Sequence, residues 1–502
     1  MTNQERLEAL FKHLEEIEAY ARVIGKVNFD MECCAPPEGM EKAGEDMAIL
    51  GKQIYAMTHD PEYVQLLCDL RADSEGLTPV QKKTVEHLYD AYAKIKNISP
   101  ELNFEMDMAA SHSYSDWLTA KQENDFSRFR DSLASLIRYQ RQSIDLRDEH
   151  PKGYYNTCLD DNEKGGSVEQ LDAFFAALKS RIVPLVQRIR AEGKPIREDF
   201  MTRAVPIPVQ EQCSRWLLEL EGLRKTALVL MTTEHPFTTN FGPKDVRVTT
   251  HYYEENFISN IFSTLHEGGH ALFMQNEPEE IYANHCSDNM TNAMHETISR
   301  FFENIVGRSE GFTAFLLPKL RSLTGETFAD VTPRELYEAV NVARPSLIRI
   351  EADELTYCLH ILVRYELEKA FIDGDITVDE IPALWNAKYK EYLGVDVPDD
   401  TRGCLQDVHW CGYGFGYFPS YALGNAYGAQ ILHRMREDLD FDACMRAGDL
   451  KTVGDWLKEH VFSIASLTTP DEWIRAITGE GLNPQYYLDY LEEKYSEVYG
   501  LK

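Results

Sequence analysis

Three residues near the middle of the chain have the types and the spacing of a metal site. His266, Glu267 and His270 lie in the run ISNIFSTLHEGGHALFMQ. On a helix, two histidines four residues apart lie on one face, and two neutral imidazoles so placed can bind one Zn²⁺. Glu267 follows the first histidine directly, where it is suited to take a proton from an attacking water as general base. The pattern therefore predicts hydrolytic metal chemistry, against the alternative of a helix that carries two histidines without such a role.

The residues around this motif predict a crowded helix. Phe257, Ile261 and Leu265 recur at helical spacing, which indicates an amphipathic helix packed on a core. Gly268 and Gly269 fill the two central positions of the motif, and each costs about 1 kcal/mol relative to alanine in a helix interior. Two such residues in a row predict that a neighbouring element or the substrate approaches this backbone closely.

Two histidines leave a catalytic metal site incomplete, because such a site uses a third protein ligand and keeps one position open. The helical stretch TNAMHETISRFFENIV follows the motif and contains Glu296, and a carboxylate from a second helix is a natural third ligand. His295 is expected to point elsewhere on that helix. His285, Cys286 and Asp288 lie in the connection and compete with Glu296 by residue type. The residues alone leave the third ligand open.

Composition narrows the class of protein. The chain has 502 residues, with 83 acidic and 51 basic side chains and a formal net charge of −32. Such a surface repels phosphate backbones, so we expect no nucleic-acid partner. The charged start of the chain does not resemble a signal peptide, and no apolar run reaches the roughly 18 residues of a membrane span. The ten cysteines form no C-x-x-C pair, which is typical of reduced thiols in a cytoplasmic protein.

Most of the chain is predicted to be helical, and no linker or repeat divides it. We therefore expect one domain over 1–502, with a helical N-terminal part at 1–200 and a motif-bearing part at 201–502. The clearest strand candidate is DVRVTTHYY (245–253), which alternates apolar and polar residues just before the motif helix. It is either an edge strand able to hold a peptide by main-chain pairing or an ordinary hairpin strand. The predicted helices cover 1–25, 40–58, 78–98, 103–122, 125–148, 167–192, 208–233, 254–276, 291–306, 333–372, 379–393, 420–437, 450–461 and 483–498.

Six short motifs in a fixed order carry a resemblance to a known family. They are HPF (235–237), DVRVT (245–249), HEGGH (266–270), HET (295–297), IRIEAD (348–353) and GCLQDVHW (403–410). In this order they resemble the thermostable carboxypeptidase Taq family, which consists of zincin-type metallocarboxypeptidases. The resemblance implies a mainly α fold, with a single large helical catalytic domain, a deep cleft and a small β element next to the metal-binding helix. It also implies peptide substrates with a free C-terminus and a homodimer.

The same resemblance implies Zn²⁺ held by His266, His270 and Glu296, with Co²⁺ as a substitute ion. The chain departs from the family pattern at one place, because the family's HESGQ or HESQ is replaced by HETI (295–298). Glu296 is retained, whereas the polar contacts of the family's glutamine are missing. The departure bears on the geometry around the ligands and on the choice of metal.

Two arginines are candidates to bind the terminal carboxylate of a peptide. Arg349 lies in IRIEAD and Arg247 in DVRVT, and a guanidinium grips both oxygens of a carboxylate in a bidentate fork. The alternative for either arginine is a structural ion pair, for example between Arg349 and Asp353.

A segment rich in glycine and aromatic residues supplies candidate hydrogen-bond donors. It is DVHWCGYGFGYFPSYALG (407–424), and it contains His409, Tyr417 and Tyr421. The resemblance implies that such side chains donate to the oxyanion of the tetrahedral intermediate, where one donor typically contributes about 10²–10³ in rate. The alternative is a packed aromatic loop.

These features predict a zinc-dependent carboxypeptidase that removes single C-terminal residues, with Glu267 as general base. One alternative is an oligopeptidase or dipeptidyl carboxypeptidase with a similar helical cleft. Another is a non-enzymatic scaffold with a degenerate metal site, and the intact Glu267 argues against it because a structural site has no use for a base.

Overall fold

The chain forms a largely helical structure around one small sheet. The computed structural model describes all 502 residues except the side chain of Asp288. Within the described residues there are 21 α-helices and three β-strands, which confirms the predicted mainly α fold. The helices are α1 Asn3–Cys33, α2 Met40–Thr58, α3 Pro61–Ala72, α4 Pro79–Ile95, α5 Pro100–Glu123, α6 Ser127–Asp145, α7 Tyr154–Asn162, α8 Val168–Glu192, α9 Ile207–Leu220, α10 Phe257–Gln275, α11 Glu279–Ala283, α12 Asn292–Arg300, α13 Glu310–Thr324, α14 Pro333–Val340, α15 Glu354–Asp373, α16 Ile381–Leu393, α17 Pro419–Asp438, α18 Phe441–Ala447, α19 Leu450–Leu457, α20 Pro470–Thr478 and α21 Gln485–Tyr499.

The sheet contains β1 (Leu228–Thr232), β2 (Thr238–Asn240) and β3 (Val246–Thr250), in the order β1-β3-β2. β3 pairs in parallel with β1 and antiparallel with β2. The strand predicted at 245–253 is therefore present, but its interpretation as an edge strand is wrong. Both sides of β3 are already hydrogen-bonded within the sheet, so its main chain is not open to a peptide.

The sheet holds the motif helix in place. Val246 and Val248 of β3 are fully buried and belong to the same hydrophobic core as Ile261 and Leu265 of α10. Because successive side chains of a strand point to opposite faces, Arg247 lies on the face away from these valines. β3 therefore separates the environment of α10 from that of Arg247.

The helices pack around two main hydrophobic cores. The larger core takes side chains from the sheet and from helices between α5 and α21. The smaller one joins α1, α3 and α4 through residues such as Leu10, Leu67 and Val85. α1 reaches the sheet at its C-terminal end, where Lys26 Nζ lies 3.3 Å from Asp245 Oδ2. The extent of a single domain over 1–502 stays a prediction.

Two predicted helices are wrong in extent. The helix predicted at 208–233 ends as α9, because Gly222 has a φ of 90°, a conformation that suits glycine, and β1 follows. The helix predicted at 333–372 is two helices, α14 and α15. Pro345 disfavours a helical conformation at Arg344, and Asp353 caps α15 through the N–H of Thr356 at 3.0 Å. The prediction has no counterpart for α3, α7, α11, α13, α18 or α20.

No helix among the described residues is both long enough and apolar enough to cross a bilayer.

Candidate metal centre

The three predicted ligands converge between α10 and α12. Glu296 Oε2 lies 3.9 Å from His266 Nε2 and 3.7 Å from His270 Nε2. One ligand atom from each of the three side chains lies within 4.8 Å of the others. Ligand atoms around a tetrahedral zinc ion are about 3.4 Å apart, because each is about 2.1 Å from the metal. The spacing therefore fits one ion after a small adjustment of the side chains.

The competing ligands of the connection are engaged elsewhere. His285 Nδ1 lies 2.6 Å from Glu18 Oε1, and Cys286 Sγ lies 3.7 Å from the carbonyl oxygen of Ser466. The side chain of Asp288 is outside the described residues. The geometry of the described residues favours a carboxylate from α12 as the third ligand.

Each histidine is oriented by a contact at its Nδ1 atom. His266 Nδ1 lies 2.9 Å from Glu303 Oε2, and His270 Nδ1 lies 2.6 Å from Nδ1 of His295. These contacts turn both Nε2 atoms toward Glu296. Hydrogen bonding at the second ring nitrogen fixes the orientation of a metal-binding imidazole. His295 points elsewhere, as predicted. It contacts the Nδ1 side of the His270 ring and helps to hold that imidazole in place.

Glu303 also belongs to this centre, although it is not among the residues predicted from the sequence. It lies seven residues after Glu296 on the same helical face, with Arg300 between them, and this spacing was the available signal. Arg300 Nε lies 2.7 Å from Glu296 Oε1, and its Nη1 lies 2.9 Å from Glu303 Oε2. A π-helical turn over Phe301–Val306 continues α12 and carries Glu303. Such turns are common at functional sites.

The electrostatics of the centre suit a cation. Burial lowers the pKa of His270 well below its ordinary value, so this imidazole is neutral, as a metal ligand must be. Burial also tends to lower the pKa of the His266 imidazole. The nearby carboxylates of Glu296 and Glu303 outweigh this effect, so that the pKa is raised. The negative potential that raises this pKa also favours a divalent ion. Two imidazoles and one carboxylate are a donor set that fits zinc.

The glycine pair of the motif lets two elements reach α10. A Cβ on Gly269 would lie 2.8 Å from the carbonyl oxygen of Ile298 and 2.9 Å from the Cα of Ser299, both in α12. A Cβ on Gly268 would overlap the carboxyl group of Glu221. The predicted close approach is therefore made by neighbouring elements of the chain.

The departure from the family pattern lies in the core. Thr297 and Ile298 are fully buried. The Thr297 hydroxyl donates to the carbonyl oxygen of Ala293 at 2.7 Å within the same helix. These two positions thus contribute packing and a local hydrogen bond to α12.

Glu267 lies beside the ligands and contacts the sheet. Its side chain is buried, and the Thr238 hydroxyl lies 2.7 Å from its Oε2 and 3.0 Å from its carbonyl oxygen. Burial raises the pKa of Glu267. Thr238 is in β2, so the sheet sets the direction of this carboxylate. No sequence signal distinguishes Thr238 from other threonines.

The structure brings the three predicted hydrogen-bond donors together. His409 Nε2 lies 3.2 Å from the Tyr421 hydroxyl, and the Tyr417 and Tyr421 rings are 5.3 Å apart. Burial lowers the pKa of His409 to about 4 and raises the pKa of Tyr421 well above its ordinary value. The imidazole is therefore neutral and the phenol protonated near pH 7. Gly424 of α17 packs on Glu296, where a Cβ would lie 3.0 Å from the Glu296 Cγ, so α17 places Tyr421 near the centre. His409 and Tyr417 precede α17 and reach the same place through their contacts with Tyr421.

Arg349 forms an ion pair with Asp407, so the predicted alternative of a pair with Asp353 is wrong in its partner. Arg349 Nε lies 2.9 Å from Asp407 Oδ1, and Arg364 Nε lies 2.7 Å from Oδ2 of the same carboxylate. Two guanidinium groups thus share one carboxylate and leave a positive charge in excess. The guanidinium of Arg349 lies 5.0 Å from the centre of the Tyr421 ring.

Arg247 lies on the opposite face of the sheet from α10. Its Nε lies 2.9 Å from Asp245 Oδ1. Its guanidinium stacks 5.0 Å from the ring of Phe29 in α1 and 4.7 Å from the ring of Phe241. These contacts tie Arg247 to α1 and to the loop between β2 and β3.

Comparisons with known proteins decide the family. Residues 9–495 match the model of the carboxypeptidase Taq (M32) metallopeptidases. The chain belongs to the M32 family. Carboxypeptidase 1 of Bacillus subtilis is 38% identical over 495 residues, which cover 98% of each chain. Thermostable carboxypeptidase 1 of Thermus thermophilus is 34% identical, over 98% of this chain and 99% of that relative. The crystal structure of the M32 carboxypeptidase from Deinococcus radiodurans R1 has a TM-score of 0.95 at 31% identity, covering 99% of this chain and 100% of that one.

Membership of the M32 family confirms the predicted resemblance. The chain is a metallocarboxypeptidase, a peptide hydrolase, so the prediction of an enzyme is also confirmed. The family implies a metal ion and peptide substrates. The described residues offer His266, His270 and Glu296 as a group able to hold that ion.

Proposed function

We propose that this M32 enzyme is a zinc carboxypeptidase that removes single residues from the C-terminus of peptides. The observation that carries the proposal is the convergence of three ligand atoms within 4.8 Å, from His266, His270 and Glu296, beside a buried Glu267. A zinc ion held by this set would polarise the scissile carbonyl and lower the pKa of water. Cobalt is the substitute ion.

Glu267 acts as the general base in this proposal. Its carboxylate takes a proton from the attacking water and returns it to the departing amine. The raised pKa of Glu267 brings this group closer to the pH at which it works, which favours transfer in both directions. The hydrogen bond from Thr238 holds the carboxylate in one orientation.

His409, Tyr421 and Tyr417 are proposed to donate hydrogen bonds to the oxygen that becomes negative during the reaction. A neutral imidazole and a protonated phenol can both donate, and the low pKa of His409 with the high pKa of Tyr421 keeps them in those states. Their mutual contact at 3.2 Å supports a joint role.

Arg349 is proposed to bind the terminal carboxylate of the peptide. Its contact with Tyr421 supports this role, as does the excess positive charge of the cluster with Arg364 and Asp407. Arg247 is the second candidate. Its partners Asp245 and Phe29 lie toward α1, and β3 separates it from α10, so Arg349 is the favoured candidate.

The proposal extends to a cytoplasmic homodimer. All ten cysteines are free thiols, which supports a reducing compartment. The homodimer is supported by the family resemblance, and sedimentation equilibrium tests it.

The test is a mass-spectrometric time course on one peptide, prepared with a free and with an amidated C-terminus. Glu267→Gln, loaded with the same amount of zinc, is the control for the chemical step. We expect stepwise loss of single residues from the free peptide only, and none with the variant. Release of dipeptides, or cleavage of the amidated form, would instead identify a dipeptidyl carboxypeptidase or an oligopeptidase.

A matched pair of variants separates the two arginines. Arg349→Lys keeps the charge but removes the bidentate fork, and Arg247→Lys does the same on the other face of β3. We expect the first to raise KM for the free peptide by about tenfold or more, as expected for a charged hydrogen bond. A larger effect of Arg247→Lys would transfer the role to that residue.

A further inference from the structure

The three proposed hydrogen-bond donors do not lie on one regular element. Tyr421 belongs to α17, whereas His409 and Tyr417 lie in the donor loop, the segment 407–418 that precedes α17. The regular structure in this loop is a single 3₁₀ turn over His409–Gly412. Because such a segment satisfies few of its main-chain groups by itself, contacts with other elements have to fix its conformation.

A buried carboxyl group in α15 contacts the donor loop at two points. Glu368 is fully buried, and its Oε1 accepts the indole N–H of Trp410 at 2.7 Å. Its Oε2 accepts the main-chain N–H of Gly416 at 2.9 Å. Trp410 directly follows His409, and Gly416 directly precedes Tyr417. One carboxyl group therefore fixes the chain next to both donors.

α7 packs against the same part of the loop. The Tyr155 hydroxyl of α7 donates to Glu368 Oε2 at 2.9 Å. Gly416 has a φ of 77°, and a Cβ there would lie 2.6 Å from the main-chain carbonyl group of Cys158 in α7. A residue with a side chain would neither adopt this conformation readily nor fit in this space. Glycine thus lets the donor loop lie against α7 within reach of Glu368.

α15 holds the start of the loop as well. Arg364, one turn before Glu368, donates from Nε to Asp407 Oδ2 at 2.7 Å. Filling the space around Glu368 does not require a carboxyl group, because burying one costs free energy that an apolar side chain of similar size does not. The three donors directed at Glu368 indicate that this side chain fixes the conformation of the loop.

We propose that Glu368 is a positioning residue of the peptidase, which holds the donor loop so that His409 and Tyr417 reach the oxygen that becomes negative during the reaction. This inference rests on the proposed function, because that function assigns these donors their role. The hydrogen bonds of Glu368 to described residues go to the loop and to α7. Glu368 therefore acts on the reaction through the loop.

The first test is hydrogen exchange of the donor loop, measured by mass spectrometry on the zinc-loaded protein at pH 8. This pH lies above the pKa of about 7 to which burial raises Glu368. Glu368→Gln keeps the shape of the side chain, but its NH₂ group cannot accept a hydrogen bond, so at least one loop donor loses its partner. We expect exchange within 407–418 to become at least about tenfold faster, because a hydrogen bond to a charged group is lost.

Glu366→Gln is the control for this measurement. Glu366 lies on the same helix, but it contacts Lys388 and Tyr392 of α16 instead of the donor loop. We expect this variant to keep the native exchange rate within 407–418. An unchanged rate in Glu368→Gln, or an equal increase in both variants, would overturn the proposal.

The second test measures kcat and KM for a peptide with a free C-terminus. Displaced donors stabilise the transition state less but do not change substrate binding. We therefore expect Glu368→Gln to lower kcat by about tenfold or more, with KM within about twofold of the native value. Zinc content should remain native, and Glu366→Gln should keep kcat.

His409→Ala separates a failure of this inference from a failure of the proposed function. If His409→Ala lowers kcat and Glu368→Gln does not, the positioning role is overturned and the donor role stands. If neither variant lowers kcat, the donor role itself is wrong, and the positioning role fails with it.

Trp410→Phe removes one of the two loop contacts and keeps the carboxyl group, so it also serves if Glu368→Gln does not fold. The new ring can still pack against Phe371 and Trp385, whose rings lie 5.2 and 6.2 Å from that of Trp410. We expect faster exchange within 407–418 and a lower kcat, as for Glu368→Gln. Native values of both quantities would overturn the proposal.

Discussion

The two histidine ligands are held by side chains that a motif search does not include. Glu303 contacts the Nδ1 of His266 at 2.9 Å, and this contact directs the Nε2 atom toward Glu296. We expect Glu303→Gln to weaken zinc binding by about 10- to 100-fold, because it removes the charge that orients the ligand and increases its basicity. Competition with a chelator measures the affinity. Glu310→Gln, an exposed position in the next helix, is the control, and equal affinities in the two variants would contradict the role of Glu303.

Gly269 shows how one missing methyl group determines the position of a ligand on another helix. A Cβ there would lie 2.8 Å from the Ile298 carbonyl oxygen and 2.9 Å from the Ser299 Cα, and neither backbone atom can rotate away. Alanine gains about 1 kcal/mol of helix propensity, but overpacking costs about 1–3 kcal/mol. We therefore expect Gly269→Ala to lower the free energy of unfolding and to weaken zinc binding, since Glu296 moves with α12.

The control for this substitution is an open glycine in a helix. Gly51 lies in α2, and a Cβ there would meet no atom within 4 Å. Gly51→Ala is expected to stabilise the protein by about 1 kcal/mol, because only the helix propensity changes. Urea unfolding measures both variants. A stabilised Gly269→Ala with native zinc affinity would show that α12 does not need this close approach.

At the scale of elements, β2 connects the sheet to the catalytic base. Thr238 is its first residue, and its hydroxyl lies 2.7 Å from Glu267 Oε2. We expect Thr238→Val, which keeps the shape and removes the hydroxyl, to lower kcat by about tenfold, the usual effect of losing a hydrogen bond to a charged group. Zinc content and the midpoint of unfolding should remain native. Thr239→Val changes the neighbour on the other face of β2 and should keep kcat, and a native kcat for Thr238→Val would contradict the positioning role.

The helices and strands that could be predicted are those whose conformation follows from the pattern of their own residues. α10 was predicted at 254–276 and found at Phe257–Gln275, because its apolar residues recur at helical spacing over the entire length. β1 was missed because its run LVLMT has no alternation. Its strand conformation depends on pairing with β3, and that pairing is absent from the local sequence. Gly222 was the available signal for the break before it.

The residues of the metal centre likewise divide into those that local sequence identifies and those that depend on contacts between distant segments. The motif and the resemblance identified His266, His270 and Glu296, which the structure brings together. Contacts between distant segments could not be identified in this way. Arg349 pairs with Asp407 across 58 residues, whereas the sequence suggested Asp353 on the same helical face. The partner of a buried charge is determined by how helices pack, and helical spacing describes only one helix at a time.

At the scale of the entire molecule, burial affects a few of the 83 acidic side chains strongly. Glu163, Glu221 and Glu368 are buried, and burial raises the pKa of each. Such groups hold a proton more tightly in the folded chain than in the unfolded one. They therefore make the stability of the protein depend on pH in the direction opposite to that of a salt-bridged carboxylate.

Glu163 provides the clearest test of this effect, since its pKa is raised by burial from 4.5 to about 7. The folded state binds the proton more tightly, so the stability from this group is fully present below about pH 4.5 and is lost as pH rises to about 7. The loss amounts to about 3 kcal/mol, because one pKa unit corresponds to about 1.4 kcal/mol. Glutamine cannot ionise, so we expect Glu163→Gln to lose less stability than the native protein between pH 5 and pH 8. Urea-unfolding midpoints across this range measure the difference, with exposed Glu391→Gln as control. Parallel curves for native protein and Glu163→Gln would show that this carboxyl group is already ionised at pH 5.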